Sequence, residues 1–165
     1  MKVRIAVSAI LAIGLALGAS GCNLIQPMAT TRHYDASDGI GVNVGDIQLR
    51  NLIVISDDGQ TASLLLSAIN ATGSVVALHI QFLSKGAMVD GRLNVPSSQT
   101  PTSWGAAKEE KIVLEGIDSL PGSLLKVYFQ YGDSDGKTAL IPVLTTGQPE
   151  YKGLETSTVL RLGTK

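Results

Sequence analysis

The sequence predicts an all-β domain, an immunoglobulin-like or cupredoxin-like two-sheet sandwich of seven to eight strands, after a cleaved signal peptide. Three observations carry that prediction. Short apolar runs recur along the chain, separated by clusters of Gly, Ser, Thr, Asn and Asp. The spacing of these turns, about 8 to 12 residues, is that of a sandwich. Several runs alternate apolar and polar residues, the period of a strand with one buried face. A closed barrel is the alternative architecture.

The strands follow in order. Gly41–Leu49 alternates, with Val42 and Val44 opposed to Asn43 and Asp46. Leu52–Ser56 is a continuous, β-branched apolar run, which suits a strand buried on both faces. Asp57-Asp58-Gly59 turns the chain into Ala62–Asn70. That run has helical propensity, but its neighbours and the turn after it favour a strand. Val75–Phe82 alternates cleanly, with Val76, Leu78, Ile80 and Phe82 on one face and Ala77, His79 and Gln81 on the other. Gly91–Val95, Lys111–Leu114, Leu124–Tyr131 and Thr138–Val143 complete the set. Pro142 suits a strand end or edge. Between them, Pro96–Ala107 reads as a long patternless loop with Trp104 near its end, and loops of that length are often functional.

The first 21 residues have a different character. Lys2 and Arg4 precede an apolar run from Ile5 to Leu17, followed by Ala19-Ser20-Gly21 and Cys22, the only cysteine. A charged start, a short apolar stretch and small residues form a secretory signal. The apolar run has 13 residues, short of the roughly 20 that span a bilayer. Ala19-Ser20-Gly21-Cys22 resembles a bacterial lipobox, although Ala19 stands where Leu is usual. The resemblance implies lipidation of Cys22, a partner bilayer reached through that lipid, and an extracytoplasmic address on the cell membrane. A simple secretory signal would leave Cys22 as a free thiol in an oxidising compartment, which is unusual. The expected organisation is a signal peptide over 1–21, a lipidated tether over 22–33, the β domain over 34–151 and a flexible tail over 152–165.

Composition narrows the function. Loss of residues 1–21 leaves 144 residues, the size of one domain. It leaves 11 basic against 14 acidic side chains. That mild acidity argues against nucleic acid, which requires a clustered basic surface.

Chemistry-bearing patterns are sparse. A blue-copper site needs a Cys thiolate and two His, and the domain has His33 and His79 without a usable thiol. A Cu(I) site could draw on Met28, His33, His79 and Met88, of which His79 and Met88 are the metal candidates within the β domain. Asp133-x-Asp135-Gly136 echoes part of a calcium loop but lacks the closing Glu, so a hairpin turn fits better. No Ser stands in a G-x-S-x-G elbow, and no phosphate-binding glycine motif occurs. Asn70-Ala71-Thr72 matches a glycosylation acceptor and reads as a turn. Trp104, with Tyr128 and Tyr131, could form a small binding face; the competing reading places such aromatics in the core.

Tyr34-Asp-Ala-Ser-Asp-Gly39, Arg50-Asn51 before an apolar strand ending at Ser56, and Ile141-Pro-Val-Leu144 followed by Pro149-Glu-Tyr151 resemble actinobacterial lipoproteins of the LpqE-like kind. The resemblance implies a membrane-anchored domain without an assigned activity. That group is distantly similar to copper chaperones of the PCuAC type, which bind Cu(I) through an H-x10-M…H-x-M pattern. Here no His follows His79, so the fold is the expectation and the copper site is not. The expected function is a non-catalytic binding or structural module of the cell envelope, not an enzyme and without a cofactor, whose partner is an envelope protein or a small ligand. A degenerate Cu(I) chaperone and a hydrolase are the alternatives.

Overall fold

The computed structural model describes residues 2–19, 37–154 and 160–162. Two compact units, Met1–Tyr34 and Asp35–Lys165, are considered separately. The first contains helix α1, Lys2–Ala19, over the apolar leader. Among the described residues, no helix is long and apolar enough to cross a membrane. Cys22, Met28 and His33 lie outside the described residues.

The second unit is mostly β. Its described residues form ten strands, β1 (Ile40–Val44), β2 (Ile47–Ile55), β3 (Thr61–Asn70), β4 (Val76–Ser84), β5 (Ala87–Val95), β6 (Ser98–Trp104), β7 (Ile112–Glu115), β8 (Leu124–Gln130), β9 (Lys137–Leu144) and β10 (Leu160–Leu162). They form one curled, mixed sheet in the order β10-β7-β3-β2-β9-β8-β4-β5, with β1 added to β2 and β6 added to β3. The β2–β9 and β7–β10 pairings are parallel; the others are antiparallel. Strand β9 joins the two halves. Its Lys137–Pro142 stretch pairs with β8, and Val143 and Leu144 pair with Val54 and Ile55 of β2.

One apolar core draws on both halves. Leu49, Leu52, Leu64 and Leu66 meet Leu78, Ile80, Phe82 and Phe129. A second cluster lies on the other face of β2 and β3, where Ile53, Ile55 and Leu65 pack with Tyr151 and Leu154. The continuous Leu52–Ile55 run is therefore buried on both faces, because apolar side chains on opposite sides of the pleat each need a cover. Residues Pro149–Tyr151 form a single 3-10 turn that brings Tyr151 over the strand pair. Its hydroxyl donates to Asp38 Oδ2 at 2.5 Å.

Four expectations need correction. First, Gly41–Leu49 is not one strand. The chain reverses at Gly45-Asp46, where Val44 pairs with Ile47. Gly45 has φ +52, and a Cβ there would lie 2.6 Å from the Tyr131 hydroxyl. Only glycine fits that approach comfortably. Second, β2 continues through the expected Arg50-Asn51 boundary. Asn51 takes φ +51 at an irregularity in the ladder between Arg50 and Ile53. Third, Pro96–Ala107 is not a patternless loop: Ser98–Trp104 is strand β6 on β3. Fourth, the tail over 152–165 is partly built into the fold. Leu154 is buried, Lys111 Nζ donates to Gly153 O at 3.1 Å, and Leu160–Leu162 pairs with β7. With β6 and β10 added, the described residues form ten strands rather than seven to eight; dividing the first expected strand adds none, because its second part is continuous with β2.

Candidate functional site

The residues that carry chemistry fall in three places. The first is the outward face of β4 and β5. Alternation turns Leu78, Ile80 and Phe82 into the core and His79 outward. His79 stands opposite Arg92 on β5 and Gln130 on β8. Its Nδ1 lies 3.0 Å from both carboxylate oxygens of Asp90, diagonally across the ladder. A carboxylate on Nδ1 fixes ring orientation, as in catalytic and metal-binding histidines. The further partners of such a site are not assembled here. Met88 pairs with Leu83, four residues along β4 from His79, a separation of about 13 Å at strand rise. Shared ligation of one ion requires about 5 Å or less between donors. The structure thus does not bring His79 and Met88 together. A hydrolase needs a nucleophile against the imidazole, and the cross-strand neighbours of His79 are Arg92, Gln130 and Asp90.

The second place is the end of β6. Trp104 pairs with Leu66, is only 6% exposed and belongs to the core. Phe129 is also fully buried. Tyr131 packs at the core edge, and its hydroxyl accepts the Asp46 N–H at 3.1 Å. Trp104, buried in the core, is therefore not exposed for a recognition face with Tyr128 and Tyr131.

A polar cleft lies beside Trp104 instead. It has a volume of about 120 Å³ and is lined by Asn51, Leu65, Leu66, Ser67, Ser103, Trp104, Ala106 and Glu109. The Ser67 and Ser103 hydroxyls are 2.8 Å apart. Glu109 Oε2 accepts the Ala106 N–H at 3.1 Å. Gly105, between the lining residues Trp104 and Ala106, has φ +95, and a Cβ there would lie 2.7 Å from Leu64 O. The volume is well below the roughly 300–1,000 Å³ of small-molecule sites. It suits a few waters or one polar group. Asn51, Ser67 and Ser103 were missed in the sequence because nothing in their spacing marks a cleft. The left-handed backbone at Asn51 is visible only in three dimensions.

The third place is the pair of Asp-rich turns. Asp57 Oδ1 accepts the Thr145 hydroxyl and the Thr146 N–H, and Oδ2 accepts the Thr146 hydroxyl. These bonds, the Thr145 hydroxyl foremost, hold its carboxyl below the usual pKa. Asp58 Oδ1 accepts the Gln60 and Thr61 N–H groups, and the Thr61 bond leads in lowering its pKa. Both carboxylates serve the turns. Among the described residues, no group of three or more His, Cys, Asp or Glu side chains could hold a metal ion.

The glycosylation-like triplet is structural as well. Asn70 is fully buried. Its amide donates to Ser74 O and Val95 O, while its Oδ1 accepts from Thr72. An amide nitrogen engaged twice inside the fold is closed to modification.

No known protein family and no curated protein matches the chain.

Proposed function

We propose that this chain is a lipid-anchored, extracytoplasmic protein whose β domain is a non-catalytic binding or structural module of the cell envelope. One observation carries the reading: Lys2 and Arg4, an apolar stretch and Ala19-Ser20-Gly21 lead directly to the only cysteine. A diacylglyceryl group on Cys22 would retain the protein on the membrane, because two acyl chains hold where one does so only marginally. The ordered run of short motifs from Tyr34 to Tyr151 supports kinship with the LpqE-like lipoproteins. We read the curled sheet as a two-sheet sandwich, immunoglobulin-like or cupredoxin-like, whose halves exchange at β9. The switch of β9 from β8 to β2, and the single core filled from both halves, favour that reading over a closed barrel.

The test is the intact mass and N-terminal peptide of the protein made in a lipidating bacterial host. The expected mature chain begins at Cys22, carries a diacylglyceryl group and partitions into detergent, and Cys22→Ala loses all three properties. A mature chain that starts elsewhere, or one without lipid, overturns the reading. The non-metal part has its own test. Cu(I) titration against a competing chelator is expected to reveal no one-to-one site that vanishes in both His79→Ala and Met88→Ala.

A further inference from the structure

Among the described β-domain residues, six large aliphatic side chains are exposed: Val75, Leu83, Met88, Leu120, Leu124 and Leu140. All but Val75 lie at one end of the domain. Leu83 and Met88 are cross-strand partners beside the Lys85-Gly86 turn. Leu124 begins β8 opposite Pro142, and Leu140 faces Lys126. Leu120 sits in the turn that enters β8, with its carbonyl accepting the Ser123 N–H. Leu83, Met88, Leu124 and Leu140 are 53%, 64%, 58% and 53% exposed. They share the outward face of β4, β5, β8 and β9, because Phe82, Val127 and Ile141 fill the inward one. The far end of the same face is polar, with Asp90, Arg92, His79 and Asn94.

We infer that this apolar end is a membrane-contact surface which lies on the lipid headgroups when the domain is tethered. The inference rests on the lipid-anchor reading above. Three features favour a lipid surface. The four side chains expose roughly 400 Å², the size of a functional patch but about half of what one partner buries in a standard protein interface. Two cations accompany the patch: Lys126 lies between Leu140 and the strand carrying Leu83, and Lys85 tips the adjacent turn. Lysines beside apolar side chains can reach headgroup phosphates while the aliphatic groups enter the acyl boundary. The acids at this end are Asp38, Asp57, Asp58, Glu115, Asp118 and Glu150. They sit ahead of β1, in the β2–β3 turn, at the end of β7, in the loop after it and in the 3-10 turn, and none of them is on β4, β5, β8 or β9.

The third feature is direction. Ile40 pairs with Leu52, and Gly39 abuts Asn51 and Ile53. Residues 37–39, which lead into β1, therefore lie toward the Ile55 end of β2. Ile55 pairs with Leu144, Pro142 pairs with Leu124, and Ser84 pairs with Ala87. These pairs put the entry to the domain and the apolar patch at the same end.

The test uses the full lipoprotein, reconstituted in phosphatidylcholine vesicles with and without phosphatidylglycerol. Single substitutions Leu124→Cys and Asn94→Cys carry an environment-sensitive dye; both sites are exposed and on the same face, at opposite ends. Spin-labelled lipid is expected to quench the dye at 124 several-fold more than at 94, and Lys126→Glu should reduce the difference with phosphatidylglycerol present. Equal quenching at the two sites overturns the inference. So does disulfide-linked dimer formation by Leu124→Cys without lipid quenching, which would assign the face to a second copy of this chain. Dye uptake by the otherwise unaltered chain would expose a free Cys22 thiol, and that result sinks the anchor reading separately.

Discussion

Strands β2 and β4 are each nine residues long and pass through the same core, yet they solve different problems. In β2, Leu52, Ile53, Val54 and Ile55 are all buried. Strand β4 instead alternates, with Leu78, Ile80 and Phe82 inside and His79, Gln81 and Leu83 outside. The difference lies in what covers the second face. Tyr151 and Leu154 lie over Ile53, Ile55 and Leu65, while the outward face of β4 carries His79, paired with Asp90 of β5, and the exposed Leu83. A continuous apolar run thus marks a doubly covered strand, and strict alternation marks a face left open for contact.

Truncations give the largest effects and test the comparison directly. Phe82→Ala should cost about 3–5 kcal/mol, and Ile53→Ala about 2–4 kcal/mol, as buried large-to-small changes do. Leu83→Ala, one residue from Phe82 but exposed, should stay within about 0.5 kcal/mol. Urea unfolding midpoints with unchanged slopes would read these values. If Ile53→Ala proves as mild as Leu83→Ala, the C-terminal segment does not cover β2 in solution, and the contrast between the halves collapses.

Asn70 comes next. Its side chain ties the end of β3 to Val95 at the end of β5, through donors and an acceptor that are all satisfied. Asn70→Ala should destabilise by roughly 1–3 kcal/mol, since it strands buried backbone carbonyls. Asn70→Asp should be comparable or worse, because the amide donors are lost and a charge is buried. If both variants unfold at the wild-type urea midpoint, the strand ends are held by the ladder alone.

The same contrast explains what was legible in the sequence. The alternation of β4 and the β-branched run of β2 revealed the strands and even the double burial, because both patterns arise directly from which faces are covered. Strand β6 was illegible. Ser98-Gln-Thr-Pro-Thr-Ser-Trp104 has no apolar alternation, since it pairs with β3 and buries only Trp104 fully. Pro101 also reads as a strand breaker, though it is tolerated at a ladder edge. Trp104 followed the sequence rule for large aromatics and joined the core. The cleft beside it could not be read at all, because Asn51, Ser67, Ser103 and Glu109 meet only through pairings between distant strands.

Tyr151 allows a smaller, pH-resolved test of the cover. Burial, then the Asp38 hydrogen bond, raises its pKa from 10.0 to about 12. The folded state therefore holds the phenol proton more tightly than the unfolded chain. The associated stability is complete below pH 10 and is lost as pH rises through about 12. Tyr151→Phe should cost about 1 kcal/mol at neutral pH and abolish this alkaline decline. An unchanged alkaline limb in Tyr151→Phe would mean that the phenol is not held under the C-terminal turn.

The smallest effect concerns the seam between the halves. Only Val54–Val143 and Ile55–Leu144 pair β2 with β9, and the Ser56 N–H adds a bond to Leu144 O at 2.9 Å. Just beyond, Asp57 grips Thr145 and Thr146. Those bonds lower its pKa from 3.8, so the folded state favours the ionised carboxylate. The sign follows: the stabilisation is present above about pH 4 and is lost as pH falls through the lowered folded-state value. The side chain is exposed, so solvent screening keeps the effect small. Asp57→Asn should match wild type closely in fold and show a shallower loss of stability below about pH 4. Asp58 shares that pH window, with its pKa lowered chiefly by the Thr61 N–H, but its bonds stay within the β2–β3 turn. Thus Asp58→Asn should flatten the acid limb without loosening the seam. Amide exchange at Ser56 and Thr146 separates the two, because Asp57→Asn should quicken both amides and Asp58→Asn neither. Equal exchange in both variants would mean that the seam is held by the strand pairing and core, and that the Asp57 clamp is incidental to how the two halves stay joined.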